Sequence, residues 1–160
     1  MLDAKYIESL KNILFSKLIH LGIVQHGSFT LKNGTKSNIY MDLRQLVNYP
    51  QFFPYLTKLL YLEHPGVLDI LCQPAAKLIP IPLGGLPLGF HLANARGIPL
   101  LMIRDKAKDH GTKRIIEGVI QTGDQYILVE DVITSGTSII QALDNISSHL
   151  APSSLALDTP

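Results

Sequence analysis

The chain has no tryptophan and a single cysteine, Cys72. One cysteine excludes an internal disulfide and suits a reducing compartment, where it reads as a buried apolar residue rather than a nucleophile. Charge is scarce and balanced: 17% of residues are Asp, Glu, Lys or Arg, 14 basic against 13 acidic, for a net charge of +1. Without a field of one sign, nothing draws the chain to nucleic acid or to a membrane surface. No uncharged run reaches the length of a membrane span. The N-terminal stretch is amphipathic, with Asp3, Lys5 and Glu8, unlike a secretory signal. Internal repeats and low-complexity segments are absent too. His20, His26, His64 and His91 each stand alone, without the spacing of metal ligands. What is left is 160 residues, 46% of them hydrophobic, a length able to bury roughly 70% of its unfolded surface. The expectation is a single soluble, cytoplasmic α/β domain over residues 1–160.

The stretch that organises the chain is Tyr126 to Ser138. Tyr126-Ile127-Leu128-Val129 is a short apolar run behind Gly123-Asp124, and reads as a strand buried on both faces. Glu130 and Asp131 stop it. Thr134-Ser135-Gly136-Thr137-Ser138 follows, small and rich in hydroxyls, and then Ile139, Ile140, Leu143 and Ile146 recur at helical spacing. A strand, an acidic pair, a small-residue turn and a helix have a chemical use. The turn aims backbone N–H groups and hydroxyls at one point, where the helix N-terminus adds about half a positive charge, and a phosphate fits there. The carboxylates can hold sugar hydroxyls or the water shell of a metal ion. A plain helix cap, with Thr134 or Ser135 as N-cap, needs only one such residue.

Val129 to Ser138 resembles the phosphoribosyl-pyrophosphate (PRPP) signature of the type I phosphoribosyltransferases. That resemblance implies that Glu130 and Asp131 hold the ribose hydroxyls, and that Thr134, Ser135, Gly136, Thr137 and Ser138 cradle the 5-phosphate. It also implies the fold: an α/β core with a mostly parallel sheet flanked by helices, and an N-terminal hairpin as a hood.

Upstream, Ile7, Leu10, Leu14 and Leu18 form the apolar face of a first helix, capped by Asp3 and closed by Gly22. Gly27 to Gly34 reads as a strand running into an Asn33-Gly34 hairpin turn, and Ser37 to Arg44 as the returning strand. A lysine at a hairpin tip is by itself a solvated charge. The run from Phe29 to Arg44, however, resembles the N-terminal hairpin of orotate phosphoribosyltransferases, which implies that Lys32 reaches the active site and that Ile39 and Tyr40 lie over the base. Pro50 and Pro54 open a second helix through Leu56, Leu59 and Leu60, ending near His64-Pro65-Gly66. Leu78 to Pro82 is strand-like, and its two prolines place it at an edge or at a strand's mouth. The following Leu83-Gly84-Gly85 turn precedes a helix through Leu92 and Ala95, a weak anion-cradle signal. The resemblance makes Gly84 and Gly85 the turn that binds pyrophosphate, with Gly84 where some relatives have a lysine. Val67 to Lys77 matches no pattern.

Ile98 to Ile103 is a further buried strand, and Arg104 to Arg114 after it is crowded with charge. Such runs are usually solvated loops. This one leaves the C-terminal end of a strand, where open α/β sheets bind ligands, and a lysine-rich lid there can supply cations to a departing pyrophosphate. Ala107 to Gly111 resembles the catalytic loop of orotate phosphoribosyltransferases, which carries over Arg104, Lys108 and His110; Thr112-Lys113-Arg114 with Glu117-Gly118 is similar to the bifunctional pyrimidine synthases. The family has lysine and then glutamate after the arginine, whereas Asp105 and Lys106 stand in inverted order here.

Beyond a helix ending near Leu150, Ser153 to Leu157 reads as one more strand. Family members continue past the point where Pro160 stands, with an arginine that grips the orotate carboxylate, and no residue here takes that role. The reading is therefore orotate phosphoribosyltransferase, acting on orotate and PRPP, with Asp131, Lys108 and His110 as the catalytic residues. Magnesium (Mg2+) would be bound through PRPP near Glu130 and Asp131, with no direct protein cage. The resemblance implies a homodimer. A degenerate PRPP-binding module without turnover, and a phosphoribosyltransferase for another base, are the alternatives.

Overall fold

The structure, a computed structural model, describes residues 4–31, 34–104 and 115–149. The chain forms two compact units, Met1–Leu68 and Asp69–Pro160.

In the first unit, α1 (Ala4–His20) buries Leu14 and Leu18 and half-buries Ile7 and Leu10, as the apolar spacing requires. It stops at Gly22, whose φ of 71° only glycine adopts at low cost. There the N–H of Gly22 donates to the Ile19 carbonyl and that of Ile23 to Leu18, both at 2.9 Å, which satisfies the helix's last carbonyls. β1 (Val24–Thr30) and β2 (Lys36–Met41) form an antiparallel hairpin, with Val24 opposite Met41 and Thr30 opposite Lys36. The hairpin lies where the sequence puts it, but its bounds differ. β1 begins earlier because Val24, β-branched and buried, continues the pairing; β2 stops at Met41 because residues Leu43–Asn48 coil into a 3-10 helix. Pro50–Phe52 is another 3-10 turn, and α2 (Phe53–Glu63) follows with Pro54 in its first turn, where a missing N–H costs nothing. α1 packs on both α2 and β1.

A short helix, α3 (Gly66–Leu71), has no counterpart in the sequence reading and carries the chain into the second unit. Cys72, at its end, is exposed rather than buried, since it lies in the turn that precedes the next strand. β3 (Ala76–Pro80) is buried along its whole length. It pairs in parallel with β6 (Gln125–Val129), Leu78 opposite Ile127. On its other side Leu78 exchanges hydrogen bonds with Pro99 (2.9 Å) and Leu101 (2.8 Å) in a parallel bridge. β4 (Met102–Ile103) then pairs antiparallel with β5 (Ile116–Glu117). The strand order is thus β6, β3, β4, β5, mostly parallel, with β3 central.

Of the two placements offered for the proline-bearing strand, the edge fails and the mouth holds. Pro80 is the last residue of β3, and the ladder resumes when the Ile81 N–H donates to the Val129 carbonyl at 2.9 Å. β6 departs from expectation in burial: Val129 is buried, but Tyr126, Ile127 and Leu128 are only half-buried. Among the described residues β3 is its one neighbour in the sheet. α4 (Gly85–Arg96) follows β3 and α5 (Thr137–His149) follows β6. Ile79, Ile81, Leu101, Ile103, Ile115, Ile116, Ala142 and Ile146 make the core between sheet and helix. Ser153 to Leu157 lies outside the described residues.

Candidate active site

The parallel strands β3 and β6 end side by side, so the turns that follow them meet. Gly84 and Gly85 lead into α4, after a cis peptide between Pro82 and Leu83. Their lack of side chains leaves room for the residues opposite them. A Cβ on Gly84 would lie 2.2 Å from Oδ1 of Asp131, and one on Gly85 would lie 2.2 Å from the Val129 carbonyl oxygen. The glycine turn and the acidic pair therefore occupy a single locus at the C-terminal edge of the sheet, the edge where open α/β sheets take their ligands. The N–H of Gly85 donates to the Ile81 carbonyl at 3.0 Å.

Glu130 and Asp131 are both half-buried. The backbone N–H of Asp131 donates to Oε1 of Glu130 at 3.2 Å. Burial, and then the hydrogen bond and negative charge of Asp131, push the Glu130 carboxyl up to about 7, against the help of that backbone N–H. A hydroxyl-bearing or cationic ligand would stabilise the ionised form of Glu130.

Residues 132–139 wrap with Glu130 around a small concavity. At its rim Ser135 Oγ and Thr137 Oγ1 are 2.8 Å apart and hydrogen-bonded. Gly136, with φ of 74°, turns the chain, and its carbonyl accepts the N–H of Ile140 at 3.0 Å. The helix thus starts from Gly136, so neither Thr134 nor Ser135 serves as a simple N-cap. Thr134, Ser135 and Ser138 stay exposed in the turn, at the positive end of α5.

Arg104 leaves β4 at the same edge of the sheet. Its Nε and Nη2 both donate to Oε1 of Glu117, at 3.2 and 3.0 Å. The sequence pattern contained Glu117 but gave it no partner, because the pairing of β4 with β5 decides which charges meet. In the first unit, Tyr40 stacks on Phe29 with ring centroids 5.3 Å apart, and its hydroxyl accepts Nη2 of Arg44 at 3.4 Å. Lys32, Asp105, Lys106, Lys108 and His110 lie outside the described residues.

No family model matches the chain. The orotate phosphoribosyltransferase of Pyrococcus horikoshii is 35% identical over 140 residues, a match covering 88% of this chain and 73% of that protein. The crystal structure of orotate phosphoribosyltransferase from Aeropyrum pernix superposes with a TM-score of 0.62 at 29% identity, over 84% of this chain and 73% of that one. Leishmania donovani UMP synthase superposes with a TM-score of 0.67 at 29% identity, over 88% of this chain but 28% of that longer one. The fold is that of the type I phosphoribosyltransferases. With its glycine turn, acidic pair and hydroxyl-rich turn set at one edge of that sheet, the chain belongs to the orotate phosphoribosyltransferase family.

Proposed function

We propose that the chain is an orotate phosphoribosyltransferase of pyrimidine (UMP) biosynthesis. A ring nitrogen of orotate gives up its proton and bonds to the anomeric carbon of PRPP while the bond from that carbon to pyrophosphate breaks, yielding orotidine 5'-monophosphate and pyrophosphate, with the proton passing to the pyrophosphate or to water. The observation that carries this reading is the meeting of Glu130 and Asp131 with the Gly84-Gly85 turn, beside the phosphate-sized turn that opens α5. The carboxylates of Glu130 and Asp131 accept hydrogen bonds from the ribose hydroxyls and face the positive charge that develops on the sugar as the leaving group departs. Thr134 to Ser138 hold the 5-phosphate by hydroxyls and N–H groups. Gly84 and Gly85 admit the pyrophosphate close to the backbone. Arg104, Lys108 and His110 supply cations to it as it leaves, while Lys32 and Tyr40 act on the orotate side. Holding both substrates in line lowers the barrier by orientation rather than by covalent chemistry.

Among the described residues no three His, Cys, Asp or Glu side chains gather as a metal cage. Glu130 and Asp131 would hold, through its water shell, a magnesium ion brought in with PRPP. Bound there, the ion would neutralise charge on the pyrophosphate. The proposal includes a homodimer in the cytoplasm, supported by the family's use of a loop across a dimer interface; among the described residues no helix is long and apolar enough to cross a membrane.

The test is pyrophosphate release from PRPP and magnesium with orotate, compared with other pyrimidine and purine bases. Release with orotate alone is expected. PRPP binding without turnover would identify a degenerate module, and turnover only with another base would replace the substrate.

A further inference from the structure

We infer that Glu117 is a positioning residue for Arg104 and, through it, for the pyrophosphate end of PRPP. The inference rests on the phosphoribosyltransferase reading above and deepens it.

Arg104 is the last described residue before the charged segment 105–114, and Ile115 is the first after it. The backbone N–H of Arg104 donates to the Ile115 carbonyl at 2.9 Å, so the two stems of that segment are joined. Glu117 lies on the returning strand, opposite Met102. Ile115 and Ile116, its neighbours, are core residues, so the backbone that carries the carboxylate is anchored. From there Oε1 takes both Nε and Nη2 of Arg104.

The side chains of Arg104 and Glu117 remain 41% and 31% exposed, and ion pairs with that much water around them add little to stability. What this pair fixes is direction. A free arginine side chain samples many rotamers, and ordering it costs entropy at the moment of binding. With the Nε edge held, the guanidinium stops turning. Its opposite edge, Nη1 with the remaining N–H of Nη2, has no hydrogen-bond partner among the described residues. That edge is the planar fork that grips phosphate oxygens by two parallel bonds. β4 delivers it to the same edge of the sheet as Gly84 and Asp131. A carboxylate near a pyrophosphate site is otherwise a liability by charge repulsion. Here its charge is spent on the arginine.

The test is a double-mutant cycle on the full chain, with Arg104→Ala, Glu117→Ala, Glu117→Gln and the double alanine variant. Glu117→Ala should lower kcat/KM for PRPP about tenfold, the loss expected from one well-placed charge-assisted hydrogen bond. The KM for orotate and the melting temperature should not move. Glu117→Gln, which keeps the accepting oxygen, should recover most of the loss. The double alanine variant should be no worse than Arg104→Ala alone. Three outcomes would overturn the inference: an unimpaired Glu117→Ala beside an impaired Arg104→Ala, additive losses in the cycle, or a gain in PRPP affinity on removing Glu117. An Arg104→Ala variant of normal activity would instead overturn the role given to Arg104 itself, which separates that failure from this one.

Discussion

A side chain on Gly84 would overlap the carboxylate of Asp131: its Cβ would lie 2.2 Å from Oδ1 and 2.3 Å from Oδ2. The turn after β3 and the acid after β6 are therefore cut to fit one another. The glycine at a position where some relatives carry a lysine gains a physical sense from this contact. In this chain the space a longer residue would need is held by Asp131.

Gly84 and Gly85 differ in what they protect, and the difference can be measured. Gly84→Ala meets the far end of a side chain that can rotate away, so the fold should lose less than about 1 kcal/mol. The displaced Asp131 should bind PRPP more weakly. Gly85→Ala meets the Val129 carbonyl oxygen at 2.2 Å, a backbone atom that cannot turn aside. It should cost about 2 kcal/mol of stability by overpacking. Melting curves and calorimetric titration with PRPP distinguish the two. Normal PRPP affinity in the Gly84 variant would detach Asp131 from the ribose.

What could be read without coordinates was whatever is local. The run from Tyr126 through Ser138 declares a strand, a turn and a helix within one short window, and the structure has all three there. The hairpin turn around Gly34 is equally local, and Gly34 does adopt a φ of 84°. What depends on partners could not be read. The central place of β3, despite Pro80, is set by β6 on one side and Leu100 on the other. The half-burial of β6 follows from which strands flank it, which hydrophobicity alone does not tell. Glu117 meets Arg104 only because β4 and β5 pair in a particular register. The contact of Gly84 with Asp131 needs two turns, far apart in sequence, to end at one height. Two glycines in a row gave a weak sign of an anion cradle, and no pattern named the acid opposite.

Glu130 gives a pH dependence of definite sign. Its carboxyl is pushed up to about 7, first by burial and then by Asp131. A carboxyl that is harder to ionise in the folded state favours the fold while it is protonated. That contribution is full below its ordinary value of 4.5 and is lost as pH rises through about 7. Binding should run the other way, because the ionised carboxylate accepts stronger hydrogen bonds from the ribose hydroxyls than the neutral acid does. At fixed magnesium, PRPP affinity should rise between about pH 6 and pH 8 and then level. Glu130→Gln should flatten the rise. A wild-type affinity independent of pH over that range would remove Glu130 from the ribose.

At the opposite edge of the sheet, Lys77 and Asp124 form an ion pair that no sequence signal announced. Lys77 Nζ lies 2.7 Å from Oδ2 of Asp124 and 2.6 Å from the carbonyl of Val119. The side chains are only 9% and 5% exposed. Oδ2 also accepts the Gln121 N–H at 2.6 Å and the Tyr126 hydroxyl at 3.5 Å. Burial alone would raise the Asp124 carboxyl, but Lys77, the Gln121 N–H and Tyr126 together hold it below its ordinary value. Its stabilising contribution is therefore present above that ordinary value and is lost as pH falls through the lowered one. Lys77→Met leaves a buried carboxylate unpaired and should cost about 3 kcal/mol at neutral pH. Adding Asp124→Leu should restore part of that loss, since an apolar pair of similar volume demands no compensation. Activity below the melting transition should survive in both variants, because the pair sits at the N-terminal ends of β3 and β6, away from Gly84 and Asp131. Urea unfolding at neutral and acid pH, run beside the activity assay, checks each step. If the single and double variants lost the same stability, the Lys77–Asp124 charges would not be coupled, and burial of the lysine stem alone would explain its place.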